Sequence, residues 1–184
     1  MHLIHRGIIS KHHKENLLQS FKQSFKKGYG VETDIHATKD NEFICFHDFT
    51  LKRTFKKNLS IKNLNCSKIN EISTKFNKPI PVLRDLLKSS KNKYPLFIEI
   101  KPILSKPLLK KLLKDTSKYK KCVFISFKHS FSVRSEPQYS MSVHHSPAHH
   151  SFNKQKHSLV VWEWQRKTVK GKNLVQDGWD YVEF

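Results

Sequence analysis

Three features of this 184-residue chain predict an α/β fold, a trimmed TIM (β/α)8 barrel in which several outer helices are short or missing. Eight short apolar runs of strand type recur along its length. Stretches with apolar residues at helical spacing lie between several of them. Charged and titratable residues gather late in the apolar runs, at the rim where barrel sites are built.

The first run, over 2–5, delivers His5, Arg6 and Gly7, and a loop over 8–14 carries His12 and His13. Residues 15–28 read as a helix with Leu17, Leu18, Phe21 and Phe25 as its stripe. Lys26 and Lys27 suit the negative end of its dipole, and Gly28 suits a C-terminal cap. Strand two covers 30–38 and strand three 42–47, joined by Lys39-Asp40-Asn41. That joint allows a tight hairpin, with His47 across from Asp34, or a short extended return that puts both at one rim. Either geometry brings His47 to the carboxylates.

Residues 49–79 read as polar and irregular, with a short helix at 67–72. Pro79-Ile80-Pro81 leads into a helix over 82–87, opened by proline. A strand of fully buried type follows at 96–101, then a helix over 105–121 with Leu108, Leu109, Leu112 and Leu113 as its stripe. Strand five is 122–127. The Ser- and His-rich stretch 128–157 has one strand-like piece, 139–143. Its pairs His144-His145 and His149-His150 lack regular ligand spacing and read as solvent-exposed loop. Strand seven at 158–164, a helical turn at 173–177 and strand eight at 180–184 complete the count. The gaps after strands two, five and six are too short for full crossover helices.

The length suits one domain over 1–184, with a core resting heavily on 13 Phe. A net charge of +20 raises nucleic-acid binding as a function. Yet the charge is almost all Lys, dispersed and free of Arg-rich tracts, so it reads as solvated surface that draws in anions, with no specific nucleic-acid partner. No apolar run approaches the roughly 18 residues of a membrane span. Cys45, Cys66 and Cys122 are far apart, which fits reduced thiols. With no room for a signal peptide before His5, a cytoplasmic location is expected.

The chemistry concentrates in three early runs. Glu32 and Asp34, two apart in a strand, share a face and repel, and a divalent cation with oxygen ligands would relieve that repulsion. His5 and His47, ending neighbouring runs, could serve beside it as general acid and base. That is a phosphodiester-cleaving site in outline.

With these residues in view, the chain resembles the glycerophosphodiester phosphodiesterases. The resemblance lies in His5-Arg6-Gly7, Glu15-Asn16-Leu17, Glu32-Thr33-Asp34, Thr38-Lys39-Asp40, His47-Asp48, Leu51-Lys52-Arg53-Thr54, Ile80-Pro81-Val82-Leu83, Ile98-Glu99-Ile100-Lys101 and Ser126-Phe127. Weaker echoes follow at Val161-Trp162 and Asp177-Gly178-Trp179-Asp180. It implies a TIM-barrel enzyme that cleaves small glycerophosphodiesters to sn-glycerol 3-phosphate and an alcohol, using one divalent cation. It implies further that Glu32, Asp34 and Glu99 ligate the metal, that His5 and His47 are the acid and base, and that Arg6 and Lys101 hold the phosphate. Three carboxylates suit Mg²⁺ or Ca²⁺ by hardness. Glu15 reads equally as a helix cap, and Asp48 as orienting its neighbours rather than binding metal.

The chain departs from the family pattern in a short region between strands five and seven, in ending at Phe184 without a final helix, and in Trp162-Glu163-Trp164. Those changes fall on the alcohol side of the expected pocket, and dimerisation would cover bare strands. The competing function is a catalytically inactive basic barrel that binds anionic ligands or nucleic acid. Against it, every expected catalytic position is filled.

Overall fold

The computed structural model describes residues 2–11 and 14–126, together with the backbone of Met141–Val143. Within them the chain forms strands β1 (Leu3–His5), β2 (Gly30–Ala37), β3 (Phe43–Cys45), β4 (Leu96–Ile100), β5 (Cys122–Ser126) and β6 (Met141–Val143). Its helices are α1 (Leu18–Lys26), α2 (Lys52–Phe55), α3 (Cys66–Lys75), α4 (Leu83–Ser90) and α5 (Lys106–Thr116). Strands β1, β2, β4, β5 and β6 lie side by side in that order, each parallel to the next. Consecutive parallel strands with helices between them are the sequential arrangement of a βα barrel. The α/β class is therefore as expected, and within the strand-like piece at 139–143 Met141–Val143 forms a strand.

Strand β3 settles the ambiguous joint. It pairs antiparallel with β2, Ile35 opposite Cys45 and Ala37 opposite Phe43, so residues 38–42 make a hairpin. Asn41 takes a φ of +63° and donates its N–H to the carbonyl of Thr38 at 3.0 Å. The third apolar run is thus a hairpin arm and not a stave, which leaves seven of the eight runs for parallel strands. Of these, 158–164 and 180–184 lie outside the described residues, as do the turn at 173–177, Phe127, His12, His13 and the His pairs of 144–150.

Strand pleat separates the two faces of the sheet. Val31 and Ile35 of β2, Leu96, Ile98 and Ile100 of β4 and Phe124 of β5 turn outward into one core with Phe21 and Phe25 of α1, Leu86 and Leu87 of α4, and Leu112 of α5. On the inward face Leu3, Phe97 and Ile125 form a small apolar cluster. Gly30 opens β2 because a Cβ there would lie 2.4 Å from the Pro95 ring and 2.7 Å from Leu3.

Residues 43–82 carry a second core that the polar reading of 49–79 did not anticipate. Ile44, Phe46, Leu51, Phe55, Ile61, Ile69, Ile72 and Ile80 pack together, with α2 and α3 folded over β3. Its apolar residues are spaced too irregularly to show a period, since they come from two short helices and the loops between them. Helix α3 is longer than the expected 67–72, and α4 begins after Pro81 with Val82 as its N-cap.

Candidate active site

The inward face of β2 and β4 positions three carboxylates. Register sets His5 opposite Glu32 and Asp34 opposite Glu99, so the side chains of Glu32, Asp34 and Glu99 converge above the apolar cluster. All three are buried, Asp34 completely, and one oxygen of each lies within 4.8 Å of the others. Glu32 and Asp34 stand mid-strand rather than at its end, because β2 runs on to Ala37 to form the hairpin.

Two cations reach into this cluster. Arg6 follows β1 at a φ of +55°, and its N–H continues the ladder to the Glu32 carbonyl at 2.9 Å. Its Nε lies 3.0 Å from Asp34 Oδ2, and its Nη1 donates to Glu15 Oε2 at 3.0 Å. Gly7, at φ +79°, lets the chain turn directly against α1, where a Cβ would come within 2.8 Å of the Ser20 backbone. Lys101, just past β4, donates to Glu99 Oε1 at 2.9 Å and sits 3.4 Å from Asp34 Oδ1.

The charge balance is incomplete, and the acid groups show it. Burial works against ionisation of Asp34, but Arg6, Lys101 and His47 outweigh it and hold its pKa below the usual range. Burial, with Asp34 alongside, pushes Glu99 up to about 7. Burial, Asp34 and Glu99 together drive Glu32 well above the ordinary carboxylate range. Glu32 Oε2 is also buried without a hydrogen bond, with His5 Nε2 3.7 Å away. Clustered, under-neutralised carboxylate oxygens around one point fit a hard divalent cation.

His47 follows β3 on a loop tied to β2, the Phe46 N–H donating to the Asp34 carbonyl at 3.0 Å. Its Nδ1 lies 2.7 Å from Asp48 Oδ1, and Asp48 Oδ2 accepts from Arg53 Nε at 2.6 Å. Asp48 therefore orients its neighbour and stands outside the carboxylate cluster. All seven residues singled out in the sequence lie at one rim: six touch within the Arg6–Glu32–Asp34–Glu99–Lys101–His5 group, and His47 stands beside it, acting on Asp34 through charge.

Sequence reasoning placed Glu15 and Asn16 inside a helix, but α1 begins only at Leu18. Asn16 adopts φ +54°, takes a hydrogen bond from Thr33 Oγ1 at 2.8 Å and donates to Asp34 Oδ2 at 3.3 Å. Glu15 is no helix cap. It bridges Arg6 and Arg53, and Arg53 binds both Glu15 and Asp48, which links α2 to the site. His36 also escaped notice. Buried on the inward face of β2, its Nε2–H donates to the His47 carbonyl at 3.2 Å, and burial lowers its pKa to about 4, so it stays neutral. Its i, i+2 spacing from Asp34 was the available signal.

Comparison with known proteins decides the family. The model of the glycerophosphoryl diester phosphodiesterase family matches residues 5–163. The chain belongs to the glycerophosphoryl diester phosphodiesterase family. Among curated relatives, a glycerophosphodiester phosphodiesterase of Caldanaerobacter subterraneus subsp. tengcongensis is 30% identical over 146 residues, covering 72% of this chain and 59% of the relative. A glycerophosphodiester phosphodiesterase structure from Thermotoga maritima aligns with a TM-score of 0.59 at 27% identity, covering 68% of this chain and 54% of that one. An Oleispira antarctica phosphodiesterase, solved in complex with the product sn-glycerol-3-phosphate, shares the fold with a TM-score of 0.63 at 20% identity, over 77% and 64% of the two chains. The chain thus spans between 54% and 64% of the length of these three proteins. Among its described residues no helix is long and apolar enough to cross a membrane.

Proposed function

We propose that the chain, as a single barrel domain over 1–184, hydrolyses glycerophosphodiesters to sn-glycerol 3-phosphate and an alcohol. The observation that carries this reading is the buried triad Glu32, Asp34 and Glu99, flanked by Arg6, Lys101 and two histidines at one rim. The family membership and the product-bound relative support the substrate class.

Glu32, Asp34 and Glu99 would hold one divalent cation, Mg²⁺ or Ca²⁺, which when bound polarises a phosphoryl oxygen. Arg6 and Lys101 then offset charge on the remaining phosphoryl oxygens. One of His5 and His47 removes a proton from the attacking oxygen, and the other protonates the departing alkoxide. Asp48 is held ionised by Arg53 and His47, so the Nδ1 of His47 must donate to it, which leaves Nε2 facing the reaction. His36 fixes the backbone of the same residue.

The cysteines support a reducing, cytoplasmic setting: Cys45, Cys66 and Cys122 are free, and burial pushes the Cys45 and Cys122 thiols up to about 12. The decisive experiment is hydrolysis of glycerophosphocholine and glycerophosphoethanolamine with Mg²⁺, with Ca²⁺ and with chelator. Cation-dependent release of sn-glycerol 3-phosphate is expected. No release with any cation would favour the inactive, anion-binding barrel.

A further inference from the structure

Beside His47 the structure holds a cavity of about 410 Å³, between the loop that follows β1 and the second core. That volume lies in the range of small-molecule sites. Its charged walls are Lys14, Arg53, Lys56 and Lys78 against a single carboxylate, Glu15. Glu15 is already taken by Arg6 and Arg53, and Arg53 is further bound by Asp48. The ammonium groups of Lys14, Lys56 and Lys78 have no ion-pair partner among the described residues. They approach from three separate segments: the β1–α1 loop, the end of α2, and the stretch before α4. Leu17, Phe55 and Ile80 supply an apolar floor.

A cavity lined this way suits an organic group that carries negative charge away from the scissile phosphate. We infer that it is a second anion subsite, selecting phosphodiesters whose organic group on the His47 side bears an additional phosphate. The inference rests on the phosphodiesterase reading for one point only, that the scissile phosphate sits between Arg6 and Lys101. With that phosphate at the carboxylate cluster, His47 lies at the boundary between the two compartments. The organic ester group on the His47 side of that phosphate then extends into the cavity lined by the three lysines. Lysine suits this role as a mobile point charge, able to follow phosphates at differing positions on a ring.

Calorimetric titration of the full chain with inositol 1-phosphate and with inositol 1,4-bisphosphate tests the subsite without turnover, because both are monoesters. Wild type should bind the bisphosphate about tenfold more tightly, the size expected of charge-assisted contacts. The double variant Lys56→Gln/Lys78→Gln should bring the two affinities within about twofold, the scale of an ordinary exposed contact. Lys14→Gln, in the β1–α1 loop, should lose part of the advantage independently. Lys106→Gln/Lys110→Gln on α5 should keep it, since those lysines sense only the overall field. Equal affinities in wild type, absence of bisphosphate binding, an advantage that survives in the cavity variants, or one lost equally in the α5 control would each overturn the subsite. Hydrolysis of glycerophosphocholine and glycerophosphoethanolamine is scored separately. Its failure would remove the phosphodiesterase reading, while the calorimetry alone decides the subsite.

Discussion

The Nδ1 atom of His47 lies 2.7 Å from Oδ1 of Asp48, the residue that follows it in the chain. Arg53, on α2, holds the other oxygen of Asp48 at 2.6 Å and also binds Glu15, which in turn binds Arg6. An unbroken series of alternating charges therefore runs from the second core to the carboxylate cluster. Its effect is to fix one tautomer of His47 and one rotation of its ring.

Asp48→Asn tests that arrangement. An amide can present its NH₂ to Nδ1 and stabilise the opposite tautomer, which withdraws the Nε2 lone pair or proton that the reaction needs. The expected result is a kcat lower by about 10- to 100-fold with KM little changed, by analogy with other groups that orient a reactive imidazole. Steady-state kinetics on glycerophosphocholine measures both constants.

Alanine at His5 or His47 should lower kcat by roughly 10²- to 10⁴-fold while raising KM far less, because the proton transfers occur only in the transition state. A nitrophenyl ester, whose leaving group needs no protonation, should partly rescue the variant that lacks the acid and leave the other unrescued. If both respond alike, the division of labour between the two histidines is wrong.

Stability without cation should fall as pH rises through the acid range. Glu99 is raised by burial from 4.5 to about 7, and Glu32 is raised in the same direction. A carboxyl with a raised folded-state pKa contributes stability that is full below its ordinary value and is lost as pH climbs through the shifted one. The loss should therefore fall between pH 4.5 and about 7. Thermal melts at pH 5 and pH 7.5 in chelator should show it in wild type and show less of it in Glu99→Gln. Added Mg²⁺ or Ca²⁺ favours the ionised carboxylates, so its stabilising effect should grow across the same window.

The sheet and the candidate site at its rim were legible in the sequence because their signals are local. Glu32 and Asp34 share a face by strand period alone, and Glu99 in β4 and Lys101 just past it repeat that spacing. What sequence missed was settled by tertiary contacts. Asn16 borders a sequence of helical spacing, yet its bonds to Thr33 and Asp34 hold it at φ +54° and α1 begins only at Leu18. The hairpin at 38–42 and the extended return were locally equivalent until the pairing of Ile35 with Cys45 decided between them. Arg53 is remote in sequence from Glu15, and only the packing of α2 on the second core brings the two together.

That packing makes Phe55→Ala informative. Phe55 is 1% exposed, beside Phe46 and Phe76, and truncation of a buried Phe costs about 3–5 kcal/mol. A lowered Tm is expected. Activity should also fall below the melting range, because α2 carries the Arg53 that holds Asp48.

Release of sn-glycerol 3-phosphate from glycerophosphocholine, measured for wild type and Glu32→Gln with Mg²⁺ or Ca²⁺ and with chelator, tests the whole account most directly. Glu32 is the least neutralised of the three carboxylates, so an amide there removes a ligand and relieves repulsion in the apo protein. The account predicts cation-dependent release by wild type. It predicts that Glu32→Gln is folded, at least as stable in chelator, no longer stabilised by the cation, and inactive. Release by wild type that chelator does not affect, or a Glu32→Gln protein as active and as cation-responsive as wild type, would contradict it.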